Sequence, residues 1–181
     1  MVRNSFQKAQ KFGREYVILG LGSNKGWNSE SCLSILGKAV EALKTVLSDL
    51  QQASLYETEP IPKSAGLKNF LNTAVSGLFT GRPEELLDRI HRIEASFGRD
   101  RTREVRWGDR SLDIDILLFG NLAVSSPLLV IPHPRLEERR FALEPLLELW
   151  PEASSPITGK PYSQIRASLP DQGVRRFPLV P

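Results

Sequence analysis

Residues 112–119 read Leu-Asp-Ile-Asp-Ile-Leu-Leu-Phe, and the first five of them alternate strictly between apolar and acidic side chains. Such alternation predicts a β-strand with one face in the core and the other face directed away from it. Because a strand repeats every two residues, Asp113 and Asp115 should share one face, with their Cα atoms about 6.5 Å apart. The apolar residues that alternate with them should then point into the core.

A first strand and a first helix are predicted near the start of the chain. Residues 16–19 form a short apolar run that is typical of a buried strand, and a glycine-containing turn follows. Between Leu33 and Leu50, apolar residues recur every three or four positions, which predicts an amphipathic helix. Asn28 or Ser29 should cap the first amides of this helix.

Two further strands and a second helix come next. Strands are predicted through residues 53–56 and over residues 70–79, and we expect them to pair antiparallel. The second helix should begin at Pro83, because the first helical turn tolerates proline, and Gly98 should stop it. A third helix is predicted over residues 141–149.

The resulting order of strand, helix, strand, strand, helix, strand is that of a ferredoxin-like βαββαβ fold. We therefore expect an α+β protein whose antiparallel sheet has helices on one face and leaves the other face open for a site. The predicted domain covers residues 16–150, after an N-terminal extension over residues 1–15 that we expect to be flexible. Residues 151–181 should form a C-terminal tail of loose structure that either packs on the domain or trails from it.

The composition is that of one globular domain, with 181 residues of which 40% are hydrophobic and 25% are charged. The single cysteine, Cys32, cannot close an intrachain disulfide, and two histidines beside it are too few for a structural zinc site. No apolar run approaches the roughly 20 residues of a membrane helix, and the first residues lack the apolar centre of a secretory signal. We expect a cytoplasmic protein without a membrane partner.

Positive charge is concentrated in one segment of the chain. The formal net charge is +3, and 16 of the 24 basic residues are arginines. Five of these arginines lie directly before the aspartate strand, at Arg99, Arg101, Arg103, Arg106 and Arg110. Because a planar guanidinium group can bind two phosphate oxygens at once, this cluster indicates a phosphate ligand.

The acidic pair next to these arginines has more than one interpretation. Aspartate is disfavoured in strands, and a role as hard oxygen ligands for Mg²⁺ would explain two of them on one face. They could instead belong to a solvated edge strand, or form surface ion pairs that contribute only about 0 to 1 kcal/mol each. We favour the metal and phosphate site, since Mg²⁺ and arginine both neutralise phosphate oxygens in phosphoryl transfer.

Other candidate ligand-binding residues are less specific. The glycine turn lacks the third glycine of a dinucleotide fingerprint, and the chain has no P-loop pattern. His133, held between two prolines, could contact a ligand or serve as a structural hydrogen-bonding residue. Phe70, Trp107 and Phe141 could pack in the core, or they could clamp a flat heterocycle whose edge Asn72 recognises.

Residues 106–117, Arg-Trp-Gly-Asp-Arg-Ser-Leu-Asp-Ile-Asp-Ile-Leu, resemble the signature of the hydroxymethyldihydropterin pyrophosphokinase family of folate biosynthesis. Similar segments are found at residues 21–24, 70–72, 83–87 and 131–134. The resemblance extends over about residues 17–149. The chain departs from the family pattern at Asp109 and Glu59, where proline is common.

This resemblance implies a ferredoxin-like enzyme that transfers pyrophosphate from MgATP to the hydroxymethyl group of 6-hydroxymethyl-7,8-dihydropterin and releases AMP. Asp113 and Asp115 would hold two Mg²⁺ ions and, with Arg99 and Arg110, form the catalytic group. The ATP-binding residues would be Glu94, Arg101, Arg110, His133 and Arg139. The pterin-binding residues would be Thr58, Phe70, Asn72, Trp107 and Phe141.

Two other classes of protein remain as alternatives. The RRM domain, which binds single-stranded RNA, has the same element order, although its signature is absent from residues 69–79. A metal-dependent nucleotidyltransferase also uses paired acids, but it would release pyrophosphate instead of AMP. We expect ATP and the dihydropterin as partners, no nucleic acid, and a monomer.

Overall fold

The computed structural model describes residues 13–59, 68–99 and 109–178. The strands are β1 (Arg14–Ser23), β2 (Ser48–Gln52), β3 (Tyr56–Thr58), β4 (Phe70–Thr80), β5 (Asp113–Phe119), β6 (Val124–Ser125), β7 (Val130–Ile131) and β8 (Arg175–Arg176). The α-helices are α1 (Cys32–Leu43), α2 (Pro83–Ser96), α3 (Arg140–Leu149) and α4 (Tyr162–Ser168), and a 3₁₀ turn covers Leu136–Glu138. None of these described helices is long and apolar enough to cross a membrane.

Strand β1 is an interior strand of the main sheet, where it pairs antiparallel with both β4 and β5 and is buried along most of its length. The strand order is β5-β1-β4-β3-β8, and β2 pairs with another part of β4. Helices and an antiparallel sheet make this an α+β protein, as predicted. The strand predicted at residues 53–56 is instead two short strands, with Ala53 between them donating a hydrogen bond to the carbonyl of Ala74 at 2.9 Å.

Helices α1 and α2 pack on one face of this sheet. The sheet contributes Val17, Leu19 and Leu21 from β1 and Ile114 and Ile116 from β5, all of them buried. The helices cover this surface with Ile35, Leu36, Ala39, Val40, Leu43, Leu86 and Ile90. The predicted orientation of β5 is confirmed, since its isoleucines face the helices.

Helix α1 is shorter than its apolar periodicity predicts. Its N-cap is Ser31, whose hydroxyl accepts a hydrogen bond from the Ser34 N–H at 3.2 Å. The predicted caps, Asn28 and Ser29, have positive φ and lie in the preceding turn. At the other end the helix stops at Leu43, and the apolar residues that follow lead into β2.

The opposite face of the sheet is not left open as predicted, because α3 and α4 cover part of it. Ile18 and Leu78 of the sheet belong to a second buried cluster together with α3. The residues that α3 contributes are Ala142, Leu143, Leu146 and Leu149. Helix α4 lies in the segment predicted to be a loose tail, and its Tyr162 is fully buried in this cluster. The protein therefore has helices on both faces of the sheet.

A β-bulge in β5 marks the edge of this second core. The pairing of β1 with β5 shifts by one residue, which leaves Leu117 without a partner on β1. Both Leu117 and Leu118 consequently belong to the second core. On the face of β5 that lies opposite to α1 and α2, the residues at the bulge are leucines, and the residues before it are Asp113 and Asp115. The polar part of this face therefore begins where the cover by α3 and α4 ends.

Candidate active site

The two aspartates of β5 lie on one face of the sheet, as the alternation predicts. Asp113 is opposite Gly22 of β1, and Asp115 is opposite Gly20 of the same strand. Ile114, between them, is buried in the core on the helical side. The aspartate side chains are 22% and 39% exposed, so a ligand can reach both carboxylates.

Glycine at position 22 of β1 leaves room for side chains of β4 on the face of the sheet that carries the aspartates. A Cβ atom added to Gly22 would lie only 3.0 Å from Oδ1 of Asn72 and 3.9 Å from the ring of Phe70. Cross-strand partners of antiparallel strands project to the same side, so Asn72 shares the face of Asp113. The predicted pterin-binding residues of β4 therefore share the face of the acidic strand, with β1 between the two strands.

Asp113 is held by two arginines. Arg99 donates from Nη1 to Oδ1 of Asp113, and Arg110 donates from Nη1 to Oδ2 at 2.9 Å. Burial alone would raise the pKa of Asp113, but the two guanidinium groups outweigh burial and keep this pKa below its ordinary value. The structure thus brings together three of the predicted catalytic residues.

Glu94 lies beneath this group, with 1% of its side chain exposed. Its Oε1 accepts hydrogen bonds from Nη1 of Arg99 and from the backbone N–H of Ile114, the latter at 2.8 Å. Glu94 belongs to the last turn of α2, so these contacts tie the helix to β5 and fix Arg99 between two carboxylates. The contacts of Glu94 position Arg99, and its predicted role in binding the nucleotide stays a prediction.

His133 lies next to the second aspartate, with Nε2 3.7 Å from Oδ2 of Asp115. Its Nδ1 accepts a hydrogen bond from the Arg135 N–H at 3.2 Å, so the neutral imidazole carries its proton on Nε2. Burial and the charge of Arg139 lower the pKa of His133 to about 4. Burial and the charge of Asp113 raise the pKa of Asp115 to about 7. At neutral pH, His133 is therefore uncharged and Asp115 takes up a proton more readily than an ordinary aspartate.

The sequence did not single out Asn24, which fixes the backbone of Arg110. Only 1% of Asn24 is exposed. Its Oδ1 accepts a hydrogen bond from the Arg110 N–H at 2.7 Å, and its Nδ2 donates to Oδ1 of Asp109 at 2.7 Å. The backbone N–H groups of Asn24 and Lys25 both donate to the Arg110 carbonyl at 3.1 Å. The available signal was the Leu-Gly-Ser-Asn segment at residues 21–24, which is one of the segments that resemble the family.

Two of the predicted pterin-binding rings lie on different elements, Phe70 on the sheet and Phe141 on a helix. Phe70 is the cross-strand partner of Thr58, and Nδ2 of the buried Asn72 donates to Oγ1 of Thr58 at 2.8 Å. Phe141 lies in the first turn of α3, and the guanidinium group of Arg139 is 5.5 Å from its ring centroid. Phe70 and Phe141 are both half-buried, so each has surface to offer a ligand.

Two of the predicted site residues, Arg101 and Trp107, lie outside the described residues, and their roles stay predictions. Mg²⁺ usually binds proteins through one or two carboxylates and completes its shell with water and phosphate. Asp113 and Asp115 supply such a pair of hard oxygen ligands on one accessible face. The residues present therefore fit the predicted metal.

Comparison with known proteins identifies close relatives. A sequence model of the family described as 7,8-dihydro-6-hydroxymethylpterin-pyrophosphokinase (HPPK) matches residues 18–151. The 2-amino-4-hydroxy-6-hydroxymethyldihydropteridine pyrophosphokinase of Aquifex aeolicus is 37% identical over 153 residues, which cover 83% of this chain and 89% of that protein. The protein of the same name from Bacillus subtilis is 36% identical over 165 residues, which cover 89% of this chain and 95% of that protein.

The fold is also similar to that of a solved protein. A crystal structure of Plasmodium falciparum HPPK-DHPS matches with a TM-score of 0.64 and 16% identity, over 85% of this chain. This chain spans 45% of the length of that solved protein, and at such low identity the likeness concerns the fold alone. The family match and the two bacterial relatives show that the chain belongs to the 7,8-dihydro-6-hydroxymethylpterin-pyrophosphokinase family.

Proposed function

We propose that this protein is an ATP-dependent enzyme that transfers pyrophosphate from ATP to the hydroxymethyl group of 6-hydroxymethyl-7,8-dihydropterin, with release of AMP, in folate biosynthesis. The names of its relatives support this reaction. The observation that carries the proposal is the acidic pair of β5, which shares one accessible face with two arginines.

We also propose that the sheet has the topology of a ferredoxin-like fold. The strand order β5-β1-β4 supports this topology. Both β2 and β3 pair with the edge of β4 that faces away from β1. These two short strands together then form the second strand of a βαββαβ unit. We expect the enzyme to act as a monomer and without nucleic acid.

Asp113 and Asp115 are the proposed ligands of two Mg²⁺ ions. The pKa of Asp115, which burial and nearby negative charge raise to about 7, supports this assignment because a cation at this place would relieve the repulsion. When bound, Mg²⁺ would neutralise negative charge on the phosphate oxygens of ATP. This would lower the electrostatic repulsion of the attacking hydroxyl oxygen.

Arginines bind the phosphates in this proposal. Arg99 and Arg110 are already fixed by Asp113, so they are oriented before the ligand arrives. Their remaining N–H groups would bind phosphate oxygens when a metal shares the charge of Asp113. Arg101, His133 and Arg139 would add nucleotide contacts, and the proton on Nε2 makes His133 a hydrogen-bond donor for this role.

The pterin would lie between Phe70 and Phe141. Thr58 fixes Nδ2 of Asn72, which orients its Oδ1 to accept a hydrogen bond from an N–H group of the pterin edge. Trp107 would close over the ring.

The transfer itself needs no covalent enzyme intermediate. The pterin hydroxyl oxygen forms a bond to the β-phosphorus, while the bond from that phosphorus to the bridging oxygen of the α-phosphate breaks. AMP leaves with this electron pair, and the hydroxyl proton is lost to a base or to water. Positioning and preorganised charge would supply most of the rate.

The test is AMP formation from ATP and the dihydropterin by Asp115→Asn, with Asp88→Asn on the exposed surface of α2 as the matched control. We expect Asp115→Asn to stay folded and to lose about 100-fold or more of its activity, since an amide is a poor ligand for Mg²⁺. The control should retain activity. Near-normal turnover by Asp115→Asn would contradict the metal assignment, and release of pyrophosphate instead of AMP would favour a nucleotidyltransferase.

A further inference from the structure

The C-terminal segment caps the helix that carries Phe141. Arg139, the N-cap residue of α3, makes no capping hydrogen bond with its own side chain; instead Oε1 of Gln172 accepts a hydrogen bond from the Arg140 N–H at 2.9 Å. Nε2 of Gln172 donates to the carbonyl of Glu138 at 2.8 Å. Because the first amides of a helix have no partner within the helix, Gln172 satisfies one of them and fixes the start of α3. Arg140 stands directly between Arg139 and Phe141 in the chain.

The same segment extends the sheet at the strand that carries Thr58. Strand β8 pairs antiparallel with β3, with Arg176 opposite Tyr56. The N–H of Phe177 donates to the carbonyl of Leu55 at 2.8 Å. Thr58 is the last residue of β3, so this pairing supports the strand directly before it reaches the predicted pterin site.

Arg176 also connects the strand to the helix. Its Nη2 donates to Oε1 of Glu148 on α3 at 2.9 Å and to the hydroxyl of Ser54. Glu148 in turn accepts hydrogen bonds from the hydroxyls of Ser54 and Tyr56, at 2.7 and 3.1 Å. One end of the segment therefore holds the start of α3, and the other end ties α3 to β3.

We propose that residues 172–177, here called the C-terminal strap, set the distance between the two walls of the pterin pocket through the positioning residues Gln172 and Arg176. This inference rests on the proposed function, because it takes Thr58 and Phe141 as pterin contacts. The predicted catalytic residues lie in β5 or next to it, and β1 and β4 separate β5 from β3, the strand with which the strap pairs. Loss of the strap contacts should therefore weaken pterin binding more than nucleotide binding.

The test compares Gln172→Ala and Arg176→Ala with Arg175→Ala. Arg175 is the neighbouring exposed residue of β8, and within the described part of the chain its side chain makes no hydrogen bond or ion pair. We expect the first two variants to raise the KM for the dihydropterin about fivefold, while kcat and the KM for MgATP stay within about twofold. Arg175→Ala should match the wild type, and Arg176→Lys, which keeps the charge opposite Glu148, should recover most of the loss.

These variants should fold, because the side chain of Arg176 is 67% exposed and surface ion pairs contribute little stability. Thermal unfolding checks this, and if Gln172→Ala does not fold, the test rests on Arg176→Ala, which leaves the cap of α3 in place. An unchanged pterin KM, or an equal rise in the KM for MgATP, would overturn the role of the strap. Absence of AMP formation by the wild type would instead overturn the proposed function.

Discussion

Asn24 and Asp109 provide the most specific test at the level of single residues. The Asn24 side chain contacts both Asp109 and the backbone of Arg110. In Asn24→Asp the acceptor for the Arg110 N–H remains, but two carboxylates would face each other. We expect a loss of about 1 to 3 kcal/mol in the free energy of unfolding and slower AMP formation, since repulsion between the carboxylates at positions 24 and 109 would displace the segment that carries Arg110. Urea unfolding and steady-state kinetics measure the two effects.

The control is the double variant Asn24→Asp with Asp109→Asn. The carboxylate and the amide then exchange places, so the amide at position 109 can donate to the carboxylate at position 24. We expect this exchange to recover most of the lost stability and activity. A double variant as impaired as Asn24→Asp alone would show that the hydrogen bond between the side chains does not matter.

The placement of some site residues could be predicted from local geometry, and the placement of others could not. The period of a strand was sufficient to place Asp113 and Asp115 on one face, because it involves only near neighbours in the chain. The place of Glu94 depends on Arg99 and on a backbone N–H of β5, which come together only in the folded protein. The contact of Asn24 with Asp109 joins residues 85 positions apart, and no local pattern marks it.

At the level of elements, the end of α2 determines where Arg99 points. Gly98 has a φ of +80°, and an added Cβ atom would collide with the indole ring of Trp27. The N–H of Arg99 returns to the carbonyl of Glu94 at 3.1 Å. We expect Gly98→Ala to cost about 1 to 3 kcal/mol in the free energy of unfolding and to reduce activity, because the strained turn would displace Arg99.

Gly37→Ala is the matched control for this substitution. Gly37 lies inside α1, and a Cβ atom there would meet nothing within 4 Å. Alanine should therefore stabilise the protein by about 0.5 to 1 kcal/mol and leave activity unchanged. Urea unfolding of both variants gives the comparison, and a Gly98→Ala protein as stable as Gly37→Ala would contradict the strain argument.

Elements with strong local signals agreed best with the structure. Helix α2 begins at Pro83 and stops before Gly98, as predicted, because both residues act on the backbone directly. The second helical layer could not be predicted, since Tyr162 is buried only when residues far along the chain pack on the sheet. For the same reason, β8 appears in a segment that looked like a loose tail.

Across the whole molecule, charges from several elements meet at the site and balance. Within the described ranges, the charged residues of this group are Glu94, Asp113 and Asp115 against Arg99, Arg110 and Arg139. His133, with a pKa of about 4, adds no charge at neutral pH. Counted by residue, three carboxyl groups therefore face three guanidinium groups, and Asp115, with a pKa of about 7, is only partly ionised at neutral pH.

We therefore expect ATP binding to depend on Mg²⁺. Without a divalent cation, the triphosphate would approach Asp113 and Asp115 while Asp113 still engages Arg99 and Arg110. The affinity for a nonhydrolysable ATP analogue should then fall at least about tenfold, as calorimetry with and without Mg²⁺ can measure. Asp115→Asn removes one carboxylate and should show a weaker dependence on Mg²⁺. Equal affinity of the wild type in the two conditions would contradict the assignment of these aspartates, because arginines alone would then suffice to bind the phosphates.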